Sequence, residues 1–408
     1  MTSTSLPFLP YGRQLIEDDD VEAVTAVLRG DWLTTGPAVG AFEEALAARV
    51  GARYAVACSS GTAALHLAAL ALGLGPGDVV IVPALTFLAT ANAARFVGAE
   101  VCFADVDADS GLVSDADLAR ALDRAAASGR GRVRAVFPVH LNGQVADMPA
   151  IAGFAAGHGL RVVEDASHAL GSRHRAADGS QAPAGACRHA DLAVFSFHPV
   201  KTIAMGEGGA VTTNDEGLWR RLLTLRSHGI VRAPEAFENH ALAFDAGGEA
   251  NPWYYEMPEV GLNYRASDIH CALGLSQLGK LDRFVERRRA LAARYDRQLA
   301  PLAPAVRPVA RVAGNEPAWH LYAVLVEFEA VGKSRARVMG ELKRLGVGTQ
   351  VHYLPLHLQP YYAKRYGPQS LPGAEAYYRR VLSLPLFASM TTADVDRVVE
   401  ALASVIAG

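Results

Sequence analysis

The sequence predicts an α/β protein built on a mostly parallel, seven-stranded sheet and followed by a smaller α+β domain. Short β-branched runs alternate with helical patterns through the first two-thirds of the chain, which is typical of a parallel sheet covered by helices. The clearest runs are apolar throughout, as expected for strands buried on both faces. The candidate strands are Tyr54–Cys58, Val79–Val82, Val101–Val106, Val133–Val139, Arg161–Glu164, Leu192–Phe197 and Gly209–Thr213.

Apolar spacing places helices between and beyond these strands. Thr62–Leu72, for example, repeats apolar residues at the three- and four-residue spacing of a helix face. After the irregular segment Ala233–Pro252 the pattern changes, and we predict a large domain over residues 1–260 and a smaller one over 261–408. The elements predicted for the second part are a long helix Ser267–Leu299, a strand near Leu321–Phe328, a helix near Ser334–Leu345, a strand near Gln350–Tyr353 and a terminal helix near Thr392–Ile406.

Composition excludes several classes of function. The chain has 408 residues, half of them hydrophobic, which is enough for two domains. Its 39 basic and 42 acidic residues are dispersed and leave a net charge of −3, so nucleic-acid binding is not expected. Met1–Pro10 shows no signal-peptide pattern and no apolar run is long enough for a membrane span, so we expect a cytoplasmic protein. The four cysteines lack CxxC spacing, and no metal site is expected at His352 and His357.

Lys201 is the first candidate for chemistry. It follows an apolar strand that ends at Phe197, and a glycine cluster (Gly206, Gly208, Gly209) leads into the next strand. A lysine desolvated at a strand end can have a lowered pKa, so that its neutral amine forms a Schiff base. The glycines would let the backbone approach a ligand closely. Because most lysines are solvated, a surface lysine remains the alternative.

An acidic pair, Glu164–Asp165, ends another apolar strand. In open α/β sheets the ligand lies at the carboxyl ends of the strands. A carboxylate placed there could pair with a pyridinium nitrogen and keep it protonated, so that the ring accepts electrons. The alternative is that Asp165 caps the following helix, since Asp is a favoured cap residue.

The turn Ser59–Ala64 connects a strand to a helix through small and hydroxyl residues. A helix N-terminus offers free N–H groups and the positive end of the helix dipole, which suit a phosphate. A plain Ser or Thr helix cap is the alternative, and no GK[ST] follows that would make a P-loop. Phe87 follows the strand Val79–Val82 and could stack on a flat cofactor ring, although a core phenylalanine would explain it equally.

Four features follow one another along the chain: the phosphate turn, the aromatic residue, the acidic strand end and the lysine with glycines. In this order they resemble the pattern of the DegT/DnrJ/StrS sugar aminotransferases. The similarity extends from Tyr11 to the last helix. It implies the pyridoxal-phosphate (PLP) aminotransferase fold of type I, which resembles aspartate aminotransferase. The segments that carry it are Asp31–Pro37, Phe195–Gly209, Arg226–Ile230, Pro252–Met257, Gly261–Asp268, Ala272–Leu281 and Gln350–Leu354.

The resemblance assigns roles to residues of this chain. Lys201 is similar to the Schiff-base lysine, Asp165 to the partner of the pyridine nitrogen and Phe87 to the ring-stacking aromatic residue. His168 lies next to the 3′ oxygen of the ring and counts with Lys201 and Asp165 as catalytic. The other cofactor contacts implied are Ser60, Gly61, Thr62, Ser196 and, from a neighbouring subunit, Asn263. The substrate contacts implied are Tyr11, Asp31, Trp32, Leu33, Thr34, Ser60, Gln350, Val351, His352 and Tyr353.

Within the family the chain is most similar to the subgroup of the pseudaminic-acid pathway. This similarity implies transfer of an amino group from L-glutamate to C4 of a UDP-linked 4-keto-6-deoxy-N-acetylhexosamine. PLP and pyridoxamine phosphate would be the two cofactor forms, and the enzyme would be a homodimer with shared sites. His270–Cys271 and the insertion Ala176–Ala186 depart from the family pattern and bear on the identity of the sugar.

Three alternatives remain from other functions of the same fold. A sister aminotransferase could act on a different UDP- or TDP-keto-sugar, of the bacillosamine, perosamine or 3-amino-sugar type. A sugar dehydratase would carry histidine in place of Lys201, so the lysine argues against it. A regulatory protein could retain the fold without catalysis, since fold alone does not imply function.

Overall fold

Two hydrophobic cores organise residues 7–407, the range described by the computed structural model. The first core surrounds the main sheet, and the second lies against a smaller sheet in the C-terminal third. The absence of a signal-peptide pattern was inferred partly from residues 1–6, which lie outside the described residues. No helix in the described range is long and apolar enough to cross a membrane.

Strand bounds follow the β-branched runs of the sequence to within a few residues. The strands are β1 Tyr54–Cys58, β2 Asp78–Pro83, β3 Glu100–Ala104, β4 Arg132–Val136, β5 Arg161–Asp165, β6 Arg173–Arg175, β7 Gln181–Pro183, β8 Leu192–Ser196, β9 Gly209–Thr213, β10 Val306–Pro308, β11 Tyr322–Val326 and β12 Val381–Leu384.

Helices fill the connections between these strands and form most of the C-terminal third. They are α1 Asp18–Leu28, α2 Pro37–Val50, α3 Gly61–Ala71, α4 Leu88–Phe96, α5 Asp115–Ser128, α6 Met148–His158, α7 Glu216–Arg226, α8 His240–Ala243, α9 Asp268–Gly279, α10 Leu281–Leu299, α11 Phe328–Val331, α12 Arg335–Arg344, α13 Pro360–Tyr366, α14 Pro372–Arg380 and α15 Thr392–Ala407.

The main sheet contains seven of the strands in residues 7–407, in the order β1-β9-β8-β5-β4-β2-β3. Neighbouring strands are parallel from β8 to β3, whereas β9 runs antiparallel to both β1 and β8. The predicted mostly parallel, seven-stranded sheet is therefore confirmed. Because every strand except β9 points the same way, the carboxyl ends of β1, β2, β4, β5 and β8 meet at one edge, where open α/β sheets bind ligands.

Gly209 allows β9 to lie against the turn that follows β1. A Cβ atom at this position would lie 2.3 Å from the carbonyl oxygen of Ser60 and 2.7 Å from the amide nitrogen of Gly61. The close approach at Gly209 is therefore between two backbone segments. The approach of the glycine backbone to a ligand, expected from the sequence, remains a prediction at this position.

The predicted helix Ser267–Leu299 is two helices, α9 and α10, that meet at Lys280. The backbone N–H of Lys280 donates to the carbonyl of Gln277, three residues back, which tightens and ends α9. The Lys280 ammonium then contacts the acidic start of α1, at 2.6 Å from Asp19 and 2.7 Å from Asp20. Periodicity could not reveal this break, because the apolar spacing continues through it.

The strand predicted near Gln350–Tyr353 was wrong. Gln350 forms a single antiparallel bridge with Ser383 of β12. The next residues leave this sheet to line a cavity at the carboxyl edge of the main sheet, so the ladder does not continue. Their β-branched and aromatic character reflects burial beside that cavity rather than pairing with a neighbouring strand.

Helix α10 connects the two cores. Phe284 and Val285 pack in the first core, whereas Leu291 and Tyr295 pack in the second. Cys271 of α9 also belongs to the first core, although it follows the domain boundary predicted between residues 260 and 261. The division into two domains remains a proposal, with α10 as the element that joins them.

Candidate active site

A cavity of about 600 Å³ lies at the carboxyl edge of the main sheet. Residues that follow β1, β2, β5 and β8 line it, together with residues from the N-terminal segment and from the chain between β11 and β12. The residues predicted for the site that line it are Tyr11, Ser60, Gly61, Thr62, Phe87, Asp165, His168, Ser196, Lys201, Gln350, Val351, His352 and Tyr353.

Lys201 lies in the turn after β8, with its backbone N–H donating to the carbonyl of His198 at 2.8 Å. Burial lowers the pKa of the Lys201 ammonium to about 8, against the opposing attraction of the Asp165 carboxylate. A fraction of the side chain is therefore a neutral amine near neutral pH, which is the form that attacks a carbonyl. This placement favours a reactive lysine over the ordinary surface lysine considered above.

The turn after β1 presents donors to the cavity at the start of α3. The Ser60 side chain caps this helix by accepting from the N–H of Ala63 at 3.1 Å, so the cap interpretation holds for Ser60. Gly61 and Thr62 occupy the first helical positions, whose N–H groups have no acceptor within a helix. A Cβ atom at Gly61 would lie 3.0 Å from Ser196 Oγ, so the Ser196 hydroxyl adjoins the same turn. The arrangement suits an anion such as phosphate.

Asp165 ends β5 and is 5% exposed. Its Oδ2 atom accepts a hydrogen bond from the Thr90 hydroxyl at 2.6 Å, and its Oδ1 atom accepts one from the backbone N–H of Ser167 at 3.2 Å. No α-helix begins directly after Asp165 in the described chain, so the helix-cap alternative does not apply. The carboxylate instead borders the cavity.

The buried His168 meets the half-buried Tyr353 in the cavity wall. The Tyr353 hydroxyl lies 3.1 Å from His168 Nε2, and His168 Nδ1 has no hydrogen-bond partner within residues 7–407. Burial holds the pKa of His168 well below its usual value, and the positive charge of Lys201 acts in the same direction. His168 is therefore a neutral imidazole, with a ring nitrogen available for a ligand.

Aromatic rings form much of the remaining wall. Phe87 immediately precedes α4, with 55% of its surface exposed and its ring 6.1 Å from that of Tyr353. An open ring face at the cavity favours stacking on a ligand over the core packing considered above. His352 lies 5.4 Å from the Tyr11 ring, and its Nδ1 atom is 2.8 Å from Ser383 Oγ. Burial lowers the pKa of His352 to about 3, so it too is neutral.

Two predicted groups lie outside the cavity of their own chain. Asp31–Thr34 is exposed, and Leu33 accepts a backbone hydrogen bond from Asp268. Asn263 is exposed and bridges to Ser227. The cavity formed by one chain therefore does not include these predicted contacts.

Sequence reasoning missed several residues that line the cavity. Thr90 holds Asp165, yet the two are 75 residues apart and only the folded chain brings them together. His320 packs its ring 4.3 Å from that of His168, and it immediately precedes the apolar run of β11. A polar residue beside such a run is a weak signal. His198 and Glu207 also line the cavity and flank Lys201 closely enough in sequence to have been considered.

These residues fit PLP. The free amide groups at the start of α3 match a phosphate, the unpartnered His168 Nδ1 matches a ring oxygen, and the desolvated Lys201 amine matches an aldehyde. Among residues 7–407 no group of three or more His, Cys, Asp and Glu side chains forms a metal site. The chemistry of the cavity is that of an organic cofactor held at a lysine.

Comparison with known proteins agrees with this description. The model of the DegT/DnrJ/EryC1/StrS aminotransferase family matches residues 14–403, so the chain belongs to this family. It is a PLP-dependent sugar aminotransferase with the α/β fold of that class.

The chain is similar to particular sugar aminotransferases and to a polysaccharide biosynthesis protein over almost its whole length. The spore coat polysaccharide biosynthesis protein SpsC of Bacillus subtilis (strain 168) is 39% identical over 404 residues, which are 98% of each chain. PseC of Helicobacter pylori, an aminotransferase involved in the biosynthesis of pseudoaminic acid, is 27% identical with a TM-score of 0.85, over 98% of this chain and 99% of PseC. Spr1654 of Streptococcus pneumoniae in its PLP form is 27% identical with a TM-score of 0.83, over 98% of this chain and 99% of its own.

Proposed function

We propose that this enzyme moves an amino group from L-glutamate to C4 of a UDP-linked 4-keto-6-deoxy-N-acetylhexosamine, in biosynthesis of the pseudaminic-acid type. The observation that carries the aminotransferase chemistry is the desolvated amine of Lys201 at the carboxyl edge of the sheet, in a cavity that Asp165 also lines. The similarity to PseC over nearly the whole chain supports the choice of sugar. We also propose that the enzyme acts in the cytoplasm.

Lys201 acts first as the amine that holds the cofactor and then as the acid and base of the proton shift. When bound, PLP supplies the carbonyl that takes up the amino group and a ring that delocalises the resulting electron pair. With the cofactor bound, Lys201 Nζ would accept the proton that the amino donor loses and release it again, as the base and acid of the transfer. A pKa of about 8 suits this exchange, because the group both accepts and releases a proton near neutral pH.

The other residues hold the cofactor in place. With PLP bound, the negative charge of Asp165 would keep the pyridine nitrogen protonated. Gly61, Thr62 and Ser196 would hold the phosphate of the bound cofactor, and Phe87 would stack on its ring. When the Tyr353 hydroxyl donates to Nε2 of the neutral His168 ring, the ring hydrogen is on Nδ1, which would donate to the 3′ oxygen of the cofactor.

We further propose that the substrate pocket is completed by a second copy of the chain. Asn263 and Asp31–Thr34 lie outside the cavity of their own chain, although the family resemblance makes them ligand contacts. A two-fold dimer would place these segments at the partner's cavity reciprocally.

A second candidate is amination of another nucleotide-linked keto-sugar destined for a surface polysaccharide. The observation that favours it is the 39% identity to SpsC, a spore coat polysaccharide biosynthesis protein. Both candidates use the same cofactor chemistry and differ only in the sugar and its carrier.

The two candidates are separated by an amination assay with a panel of UDP- and TDP-linked 3-keto- and 4-keto-sugars, with glutamate as donor. Products are identified by mass spectrometry and NMR, and Lys201→Ala serves as the inactive control. We expect the highest kcat/KM for the UDP-linked 4-keto-6-deoxy-N-acetylhexosamine and a new amino group at C4. A higher kcat/KM for a TDP-linked or 3-keto substrate would overturn the proposed sugar and favour the second candidate.

A further inference from the structure

Two buried threonines form a chain of hydroxyl groups that ends on Asp165. The Thr90 hydroxyl donates to Asp165 Oδ2 at 2.6 Å, and Thr86 Oγ1 lies 2.8 Å from Thr90 Oγ1. Thr90 is 0% exposed, Thr86 2% and Asp165 5%. A hydrogen bond to a charged group is about twice as strong as one between neutral groups, so the bond from Thr90 to Asp165 is the stronger of the two.

The chain of hydroxyl groups has a direction. A threonine hydroxyl has one hydrogen and two acceptor lone pairs. Thr90 gives its hydrogen to the carboxylate, so Thr86 must be the donor in the contact between the two threonines. Hydrogen bonds arranged head to tail polarise one another in a buried site. Both hydroxyl groups therefore stabilise the negative charge of Asp165.

The fold places these groups by joining two elements at the edge of the sheet. Thr86 follows β2, Thr90 lies in the first turn of α4, and Asp165 ends β5. The N-terminus of α4 carries the positive end of its dipole, which adds to the stabilisation of a nearby carboxylate. Thr90 of α4 thus holds the carboxylate on one side. Asp165 also lines the cavity, so its remaining lone pairs can accept a hydrogen bond from a ligand there.

Asp165 has no ion-pair partner among residues 7–407, so the donors that hold it within the chain are neutral. We propose that Thr90, supported by Thr86, is a positioning residue that fixes the Asp165 carboxylate against the ring nitrogen. Through it the enzyme distinguishes a ring with a protonated nitrogen from a ring without one. This inference rests on the proposed contact of Asp165 with the cofactor ring.

The test compares the affinity of the apoenzyme for pyridoxamine phosphate with its affinity for the 1-deaza analogue, in which CH replaces the ring nitrogen. The ratio is the dissociation constant of the 1-deaza analogue divided by that of pyridoxamine phosphate. It reports the contact at the ring nitrogen and does not depend on turnover. Thr90→Val has nearly the same shape but no hydroxyl group, and it should reduce this ratio about tenfold. Thr90→Ser retains the hydroxyl group and should keep the ratio within about twofold of wild type, since it can still donate to Asp165.

Thr213→Val is the matched control. Thr213 is also fully buried, and its hydroxyl likewise donates once, to the carbonyl of Asp191, and accepts once, from the N–H of Asp215. It lies in β9 and does not line the cavity. Loss of its hydroxyl group should lower stability without changing the preference for the ring nitrogen.

Asp165→Asn separates failure of this inference from failure of the proposed cofactor contact. If Asp165→Asn abolishes the preference and Thr90→Val retains it, the positioning role of Thr90 is refuted. If neither variant changes the preference, the contact of Asp165 with the ring nitrogen is itself wrong, and the inference falls with it. Should Thr90→Val fail to fold, Thr86→Val is expected to lower the ratio in the same direction by a smaller factor, and an unchanged ratio there would count against the chain of hydroxyl groups.

Discussion

Lys201 owes its proposed reactivity to the place of its ammonium group. The residue follows a buried strand, and burial lowers its pKa to about 8 while the charge of Asp165 limits the shift. At pH 7 about a tenth of the side chain is then neutral, compared with less than about a thousandth for a solvated lysine. Because only the neutral amine attacks an aldehyde, its reaction with PLP should accelerate as the pH rises through 8 and level off above it.

Also at the residue scale, the sequence could indicate site residues at the end of a clear strand or directly after it. It could not indicate residues whose role depends on a contact with a distant element. Asp165 ends an apolar strand, so the sheet rule placed it at the carboxyl edge, and Lys201 was indicated by its position directly after another apolar strand. Thr90 has no such signal, because its meaning depends on Asp165, 75 residues away. His320 is similar, since its contact with His168 joins the two halves of the chain.

At the scale of elements, one carboxylate fixes the start of α2 and the segment before it. Asp268 is 1% exposed and accepts from the N–H of Gly36 at 2.7 Å and from that of Ala38 at 2.9 Å. These are orphan donors at a helix N-terminus. The backbone N–H of Asp268 also donates to the carbonyl of Leu33 at 3.0 Å. Asp268 thereby ties the segment Asp31–Thr34, a predicted substrate contact, to helix α9.

Asp268→Ala should lower the free energy of unfolding by about 2 kcal/mol, because it leaves two partly buried backbone donors, the N–H groups of Gly36 and Ala38, without a charged acceptor. Urea unfolding followed by circular dichroism gives the measurement. Asp115→Ala is the control, since Asp115 is an exposed acidic residue in the first turn of α5 and its loss should change stability by less than about 0.5 kcal/mol. Equal stability of Asp268→Ala and wild type would show that α2 does not depend on this cap.

Element types were easier to predict than element limits. The strands of the main sheet could be predicted because β-branched runs mark them directly. The break at Lys280 could not, because the apolar spacing continues through it and the contact of Lys280 with Asp19 of α1 joins residues more than 250 positions apart. The segment Gln350–Tyr353 has the composition of a strand. In the fold it forms one β-bridge, and its residues line the cavity.

At the scale of the whole molecule, exposed apolar side chains accompany the segments that we assign to a partner's site. Trp32 is 58% exposed and Leu33 47%, within the predicted substrate segment. Trp253 is 73% exposed and Met257 59%, a few residues before Asn263. Large apolar residues left in solvent near ligand-binding segments are typical of an interface. They support the proposal that two copies of the chain complete each site.

Complementation between inactive variants tests this proposal. Lys201→Ala and an Asn263 variant that is inactive alone are co-expressed with different tags, and the heterodimer is purified. If the sites are shared, one site of the heterodimer carries both changes and the other carries neither, so about half of wild-type activity should return. If Asn263 acts in its own chain, each site carries one change, and activity near zero would refute the shared site.

The most direct test of the account is chemical trapping of the cofactor on its lysine. Apoenzyme is mixed with PLP between pH 6 and 10, reduced with borohydride, digested and mapped by mass spectrometry. We expect one adduct, on Lys201, formed at an initial rate that rises through pH 8 and is level above it, because the pKa of Lys201 is lowered to about 8. An adduct mainly on any other lysine would contradict the site described here.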